Sequence, residues 1–432
     1  MHARSRRLLL SLLSSLSLSL SLSLSLLSSC HETATPADAT LDSSPDLPAD
    51  LSPEAAPDAE ADSPDAPCPP DLPRCDGETV VACVDGREEL LPCPAGTRCN
   101  LGACEESLVD LPRDAGPHSD KTEWWYYTGH VGDGEHEYGF EVTIFRYDLA
   151  IFTGYMCHVA VLDAVAGIHY HTDEILPLPT RWSGSPVVLD VGSCRFELDG
   201  AGYDHVTGRI DRGAERDSLG APWSIDLWVE PQKRPALHGD HGVIPMGDRG
   251  GTSWYYSYTR LAAAGTIRVP DGSTYDVGGV AWMDHQWGDF DPMTEFKGWD
   301  WWSIQLDDGR ELMLFQFRDW DDVLVGQAGT LVLPDGNQLT FSGFDAFSIT
   351  PLREWPSPHT DGVYPLDWDL VIAEGAFDLA VETHVDDQEM YNPAQNYWEG
   401  ATTVTGTAGG VPVSGVGYTE LTGYASDLLD PP

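Results

Sequence analysis

Tyr138-Gly139-Phe140-Glu141-Val142-Thr143-Ile144 places an apolar side chain at every second position, the period of a half-buried strand. Outward from it, Val269-Pro270-Asp271-Gly272 and Leu333-Pro334-Asp335-Gly336 set turn residues between apolar stretches, as hairpins require. No segment keeps apolar residues at helical spacing for long, and 43 glycines punctuate the chain. The body is therefore predicted to be all-β and antiparallel, built as sandwiches or barrels. Its 432 residues exceed one ordinary core, which predicts roughly two to three domains.

An internal similarity divides this body. Trp124-Trp125 leads into a strand-like stretch, the turn Asp133-Gly134, a second strand and Phe145-Arg146-Tyr147-Asp148. Trp301-Trp302 leads through Asp308-Gly309 to Phe317-Arg318-Asp319. The copies lie about 175 residues apart, which suggests a duplicated β unit with a boundary near Asp289 to Lys297. Coincidence is the alternative, because aromatic hairpins are common in all-β proteins. The expected units are 116–292 and 293–428, and Phe145, Arg146, Phe317 and Arg318 are read as seals at barrel ends.

The amino-terminal hundred residues read differently. Arg4, Arg6 and Arg7 precede a Leu/Ser run that ends in Leu27-Ser28-Ser29-Cys30, which resembles the lipobox of a bacterial lipoprotein signal peptide over residues 1–29. Cleavage would leave Cys30 to carry lipid and anchor an exported protein to a membrane of the cell envelope; an ordinary signal peptide or an uncleaved anchor is the rival. Residues 30–67 are rich in Ala, Pro, Ser and Asp without Lys or Arg, as a disordered tether is. Without the leader, 20 basic residues face 70 acidic ones, a formal charge of −50, which argues against nucleic-acid partners.

Cys68, Cys75, Cys83, Cys93, Cys99 and Cys104 crowd into one short segment, predicting a three-disulfide module over 68–108. Zinc is the other option, but the segment has no Cys-x-x-Cys and no histidine. Fifteen pairings are open. Cys157 and Cys194 either pair or stand as separate buried thiols.

Five of the fifteen tryptophans fall between Trp282 and Trp302, around Asp284-His285. Such density argues for a thick core or for the wall of an apolar cavity, and the acid and histidine favour a cavity with chemistry. Glu123-Trp124-Trp125-Tyr126-Tyr127-Thr128-Gly129-His130, His158 to Asp163, Tyr255 to Leu261, Trp282 to Gly288, Gly298 to Gly309, Tyr397-Trp398-Glu399-Gly400 and Gly417 to Tyr424 occur in this order. Together they resemble the AttH and carotenoid 1,2-hydratase (hydroxyneurosporene synthase) family from about Lys121 to Tyr424. The resemblance implies two tandem lipocalin-like β-barrels, with a ligand site in or between them and no cofactor.

In the family's hydratases an aspartic acid, one spacer after an aromatic residue, is the proposed proton donor to a terminal isoprenoid double bond. Trp282-Met283-Asp284 resembles that arrangement and makes Asp284 the acid. An aromatic pocket would keep its proton on at neutral pH and stabilise a carbocation. His285 is the candidate partner, although neighbours in a strand face opposite sides; hydrogen bonds that pin hairpins are the alternative role for both. Tyr255-Tyr256-Ser257-Tyr258 stands where those hydratases carry a histidine and a tryptophan, so carotenoid hydration is one option among several apolar substrates.

Trp282, Trp287, Trp124, Tyr126, His130, His158, Tyr255, Trp299 and Trp301 complete the candidate binding set; for His130 and His158 a structural role competes. His169-Tyr170-His171 and His238-Gly239-Asp240-His241 have ligand-like spacing, but loop histidines are common in an acidic protein and are the favoured explanation, so no metal site is assigned. No Gly-x-Ser-x-Gly or His-Glu-x-x-His occurs, which leaves serine or metallo-hydrolase chemistry unsupported. The expected function is binding of an apolar, isoprenoid or lipid-like small molecule, with hydration, isomerisation or cyclisation by acid catalysis. A lipocalin-type carrier serving a transporter is the second expectation.

Overall fold

The computed structural model describes residues 68–69, 72–148, 153–176, 187–211, 222–246, 251–290, 296–392 and 395–426, all within one compact unit. The leader, Cys30 and the tether lie outside the described residues, as does part of the expected boundary.

Two large antiparallel sheets share one strand order. In the first, Thr122–Gly132, Glu137–Asp148, Thr153–Asp163 and Ile168–Leu176 form a meander. Thr122–Gly132 pairs on its other side with the last strand, Thr274–Gly288, and the sheet continues through Gly251–Arg268, Trp223–Pro231, Asp204–Ile210, Cys194–Leu198 and Val187–Val191. In the second, Gly298–Leu306 opens the meander Glu311–Arg318, Leu324–Val332, Gln338–Ser342 and likewise pairs with its last strand, Val411–Thr422. From there the order is Asn396–Ala408, Phe377–Thr383, Val363–Ile372 and Phe347–Pro356. Both sheets curl in a lipocalin-like way, one into a nearly closed barrel and the other into a half-barrel.

Side-chain alternation fills both interiors. Trp125, Tyr127, Phe140, Val142 and Ile144 point into the first barrel, as the opening heptapeptide requires. Trp302, Trp368 and Trp398 fill the second. The register corrects the repeat by one strand pleat: Trp124 pairs with Phe145, but Trp301 pairs with Phe315 rather than Phe317. The second hairpin is shorter, so matching its Phe-Arg dipeptides by sequence slips two residues.

Cys157 and Cys194 form a disulfide between strands that are not neighbours in the sheet, so it crosses the barrel interior. The amino-terminal module holds the bonds Cys68–Cys83, Cys75–Cys99 and Cys93–Cys104. It docks where the sheets meet: Arg98 donates to the Pro235 carbonyl at 2.8 Å, and Asn100 exchanges hydrogen bonds with the Gln338 backbone at 3.1 and 2.9 Å. Buried Glu311 of the second sheet fixes the same joint, at 2.7 Å from Lys233 and 2.6 Å from Arg260 of the first.

Candidate functional site

The outward-facing residues of the central strands line a partly open, mostly aromatic cavity between the two sheets. Two equivalent cross-strand rows form its walls. One runs Phe145, Trp124, Gln286, Tyr255 across the first sheet. The other runs Phe315, Trp301, Glu420, Glu399 across the second. All eight line the cavity. Neither row is built by one sheet alone into a pocket; the barrel interiors are packed, and only the docking of two outer faces leaves this space.

Asp284 lies on the first wall, 3% exposed. Its Oδ2 accepts from the Tyr255 hydroxyl at 2.5 Å, and its Oδ1 accepts from the Trp282 indole N–H at 2.6 Å and from Ser257. Burial pushes its pKa up to about 6 against these three hydrogen bonds. The Trp301 indole, from the opposite sheet, donates to the Tyr255 oxygen at 3.0 Å, which leaves the Tyr255 hydrogen free for Asp284. Behind Ser257 sits His238, with Nε2 2.6 Å from the serine oxygen and Nδ1 2.8 Å from Thr330. Burial pushes His238 down to about 3, so it is a neutral link between the sheets.

The opposite wall carries two more acids. Glu399 and Glu420 are direct cross-strand partners, and both face the cavity. Tyr126 donates to Glu399 Oε1 at 2.5 Å, while Oε2 has no hydrogen-bonding partner. Burial, then the Glu420 and Glu141 charges, hold Glu399 well above the usual carboxylate range. Burial pushes Glu420 to about 7, helped by the charges of Asp284 and Asp300. Behind the wall, burial pushes Glu141 to about 8 against the Thr143 hydroxyl beside it. Sequence reasoning passed over this pair, although both sit in quoted motifs, because nothing local shows that strands far apart in sequence share a cavity.

Several expected site residues stand elsewhere. Trp124, Tyr126, Tyr255, Trp299 and Trp301 line the cavity with Asp284. Phe145 and Phe317 line it too, so they do not merely seal barrel ends; their arginines do tie strand ends, Arg146 to the Asp120 carbonyl and Arg318 to that of Thr422. Trp282 stays outside the lining and acts through its hydrogen bond to Asp284. Trp287 and His285, at odd positions, face the interior of the first barrel. His285 Nε2 lies 3.0 Å from Glu123 and Nδ1 3.3 Å from the Tyr256 hydroxyl, so it forms no dyad with Asp284. His130 donates to the Gly417 carbonyl at 2.8 Å, and His158 lies 2.6 Å from the hydroxyl of the cavity residue Tyr397; neither lines the cavity.

Among the described residues one group has ligand atoms close enough for a metal ion, His118, Glu123 and His285, all within 4.8 Å of one another. Glu123 already accepts from both rings, at 2.7 and 3.0 Å, and from the His118 backbone. Burial would raise Glu123, but these hydrogen bonds outweigh it and hold the carboxyl below its usual value. A cation there would have to replace them. His238 is engaged by Ser257 and Thr330, and His241 rests beside exposed Asp240.

A family model described as AttH-like matches residues 103–424. The structure aligns with the crystal structure of an AttH protein from Nitrosomonas europaea at TM-score 0.64 and 30% identity, covering 73% of this chain and 97% of that one. It also aligns with kievitone hydratase from Nectria haematococca at TM-score 0.58 and 18% identity, over 74% and 93% of the two chains, a likeness of fold. In sequence, kievitone hydratase of Fusarium solani subsp. phaseoli is 25% identical over 211 residues, which cover 46% of this chain and 56% of that relative. The chain thus spans little more than half of that relative's length.

Proposed function

Because the chain belongs to the AttH-like family, we propose that the cavity between its sheets takes an apolar unsaturated small molecule, isoprenoid or lipid-like, and alters a double bond in it by carboxyl acid–base chemistry. Hydration is the first reaction to test, since a relative in sequence is a hydratase; isomerisation and cyclisation share the same cationic intermediate. The observation that carries this reading is the placement of buried Asp284 on an aromatic-walled cavity. Aromatic faces stabilise a tertiary carbocation, and a water-poor site strengthens every charge interaction within it. The amino-terminal segment would set this body on the bacterial envelope through lipid at Cys30.

Turnover of isoprenoid alkenes by the wild type and by Asp284→Asn tests the reading. Loss of at least about 100-fold is expected, the usual worth of a positioned proton-transfer group; equal turnover removes Asp284 from the mechanism. An unaltered lipid co-purifying in native mass spectra, with no turnover, would instead identify a carrier.

A further inference from the structure

Three carboxyl groups face one cavity, and their surroundings divide the roles. Asp284 is arranged to be a carboxylate. The Trp282 indole can only donate, and the Tyr255 hydroxyl, already accepting from Trp301, turns its hydrogen to Asp284. Ser257 adds a third contact. A proton placed on Asp284 would compete with these donors.

Glu399 and Glu420 are less well supplied with donors: Glu399 accepts from Tyr126 and Glu420 from the Trp299 side chain, one each against three at Asp284. They are paired directly across two strands in an apolar wall, and two carboxylates that share such a site do not both ionise. The groups facing them are Tyr126, Glu141, Asp284, Trp299 and Asp300, and none is a cation. Asp300 has its own partner in Arg318, at 3.3 Å. One oxygen of Glu399 is left with no hydrogen-bonding partner while fully buried.

We propose that the Glu399–Glu420 pair is the proton donor of this site, and that Asp284, on the facing wall, is the base that activates water. This rests on the reading of the cavity given above and reverses the role that the family resemblance lends Asp284. The π electrons of a trisubstituted alkene take the shared proton and form a C–H bond, leaving a tertiary cation and an ionised pair. A water oxygen then bonds to the cation while Asp284 accepts the proton it releases. The sum is addition of one water; the proton returns from Asp284 to the pair through solvent once the alcohol leaves. Higher proton affinity on the donor side fits this order: burial and the neighbouring carboxylates hold Glu399 well above the usual carboxylate range, while three donors hold Asp284 back.

Infrared difference spectra at pH 6.5 test the assignment without any substrate. The protonated-carboxyl stretch should be lost in the Glu399→Gln/Glu420→Gln double variant and kept in Asp284→Asn; Glu141 is common to all three proteins and cancels in the differences. Loss of the band in Asp284→Asn with retention in the double variant would overturn the proposal. Thermal melts confirm folding, and Glu420→Asp serves as a milder second variant that should keep the band. With an isoprenoid alkene in D2O, Asp284→Asn should still place deuterium in recovered alkene while alcohol formation falls about 100-fold or more. The double variant should lose both, and deuterium incorporation by it alone would also sink the idea. Unchanged turnover by Asp284→Asn would count against the catalytic reading as a whole, whereas the spectrum reads the pair by itself.

Discussion

At the residue scale, Asp284 and His285 show how one step along a strand separates roles. Asp284 faces the cavity, and His285 faces a packed interior where it is tied to Glu123. Tyr255 is the residue through which the Asp284 proton affinity can be tuned. Tyr255→Phe removes a donor that favours the ionised form, so the Asp284 pKa rises above its present value of about 6. With Asp284 as base, the rising limb of kcat/KM against pH moves to higher pH while the limb near 7 set by Glu420 stays in place. A pH profile of the variant checks this; a shift of the falling limb alone would return the donor role to Asp284. The aspartate was legible in Trp282-Met283-Asp284, whereas two of its three hydrogen-bond donors were not, since Tyr255 and Ser257 reach it from a neighbouring strand.

At the element scale, the site depends on how closely two outer faces approach. Gly139 is a point of close approach: a Cβ there would stand 2.9 Å from the Ala401 Cβ of the other sheet and 3.4 Å from the Leu162 Cβ. Gly139→Val should cost roughly 1–3 kcal/mol by overpacking and push the sheets apart, lowering turnover while each barrel keeps its strands. Chemical denaturation and far-ultraviolet dichroism measure the two effects separately; a variant of unchanged stability would show that the faces can slide. The repeated Trp-initiated hairpin was visible in sequence, but its phase was not. Only the pairing of Trp301 with Phe315 shows which residues of the halves are equivalent, and this equivalence places Glu399 and Glu420 opposite Tyr255 and Gln286.

Over the whole molecule, buried and half-buried carboxyl groups make stability depend on pH. Glu141, Glu420 and Asp284 hold protons up to about 8, 7 and 6, well above their values in an unfolded chain. The folded state therefore binds more protons than the unfolded one from about pH 4 upward, and stability is lost as pH rises through the folded values. Buried His130, His158 and His238, pushed down to about 4, 3 and 3, act in the opposite sense below pH 6.5, where only the unfolded chain binds protons. Above pH 6.5 the carboxyl effect acts alone. The melting temperature should fall from pH 6.5 to 9, and Glu141→Gln should recover on the order of 2–4 kcal/mol at pH 9 but little at pH 5. Calorimetry at the three values decides; an equal gain at pH 5 and pH 9 would mean that Glu141 is not protonated in the native protein.

The amino-acid sequence alone determined the all-β class, the alternation of the Tyr138 to Ile144 strand, the opposite facing of Asp284 and His285, the cysteine-rich module and the acid in its aromatic setting. These follow from alternation and composition, which act over a few residues. Tertiary structure decided the remainder: the pairings of the cysteines, the closure of Cys157 on Cys194, and the site's location between sheets rather than inside a barrel. Alternation says that Trp124, Asp284, Trp301 and Glu420 turn away from their own barrels, but not what they turn toward. That depends on the docking of two faces joined by contacts between residues a hundred or more positions apart, such as Tyr126 with Glu399, and no local pattern encodes such a contact.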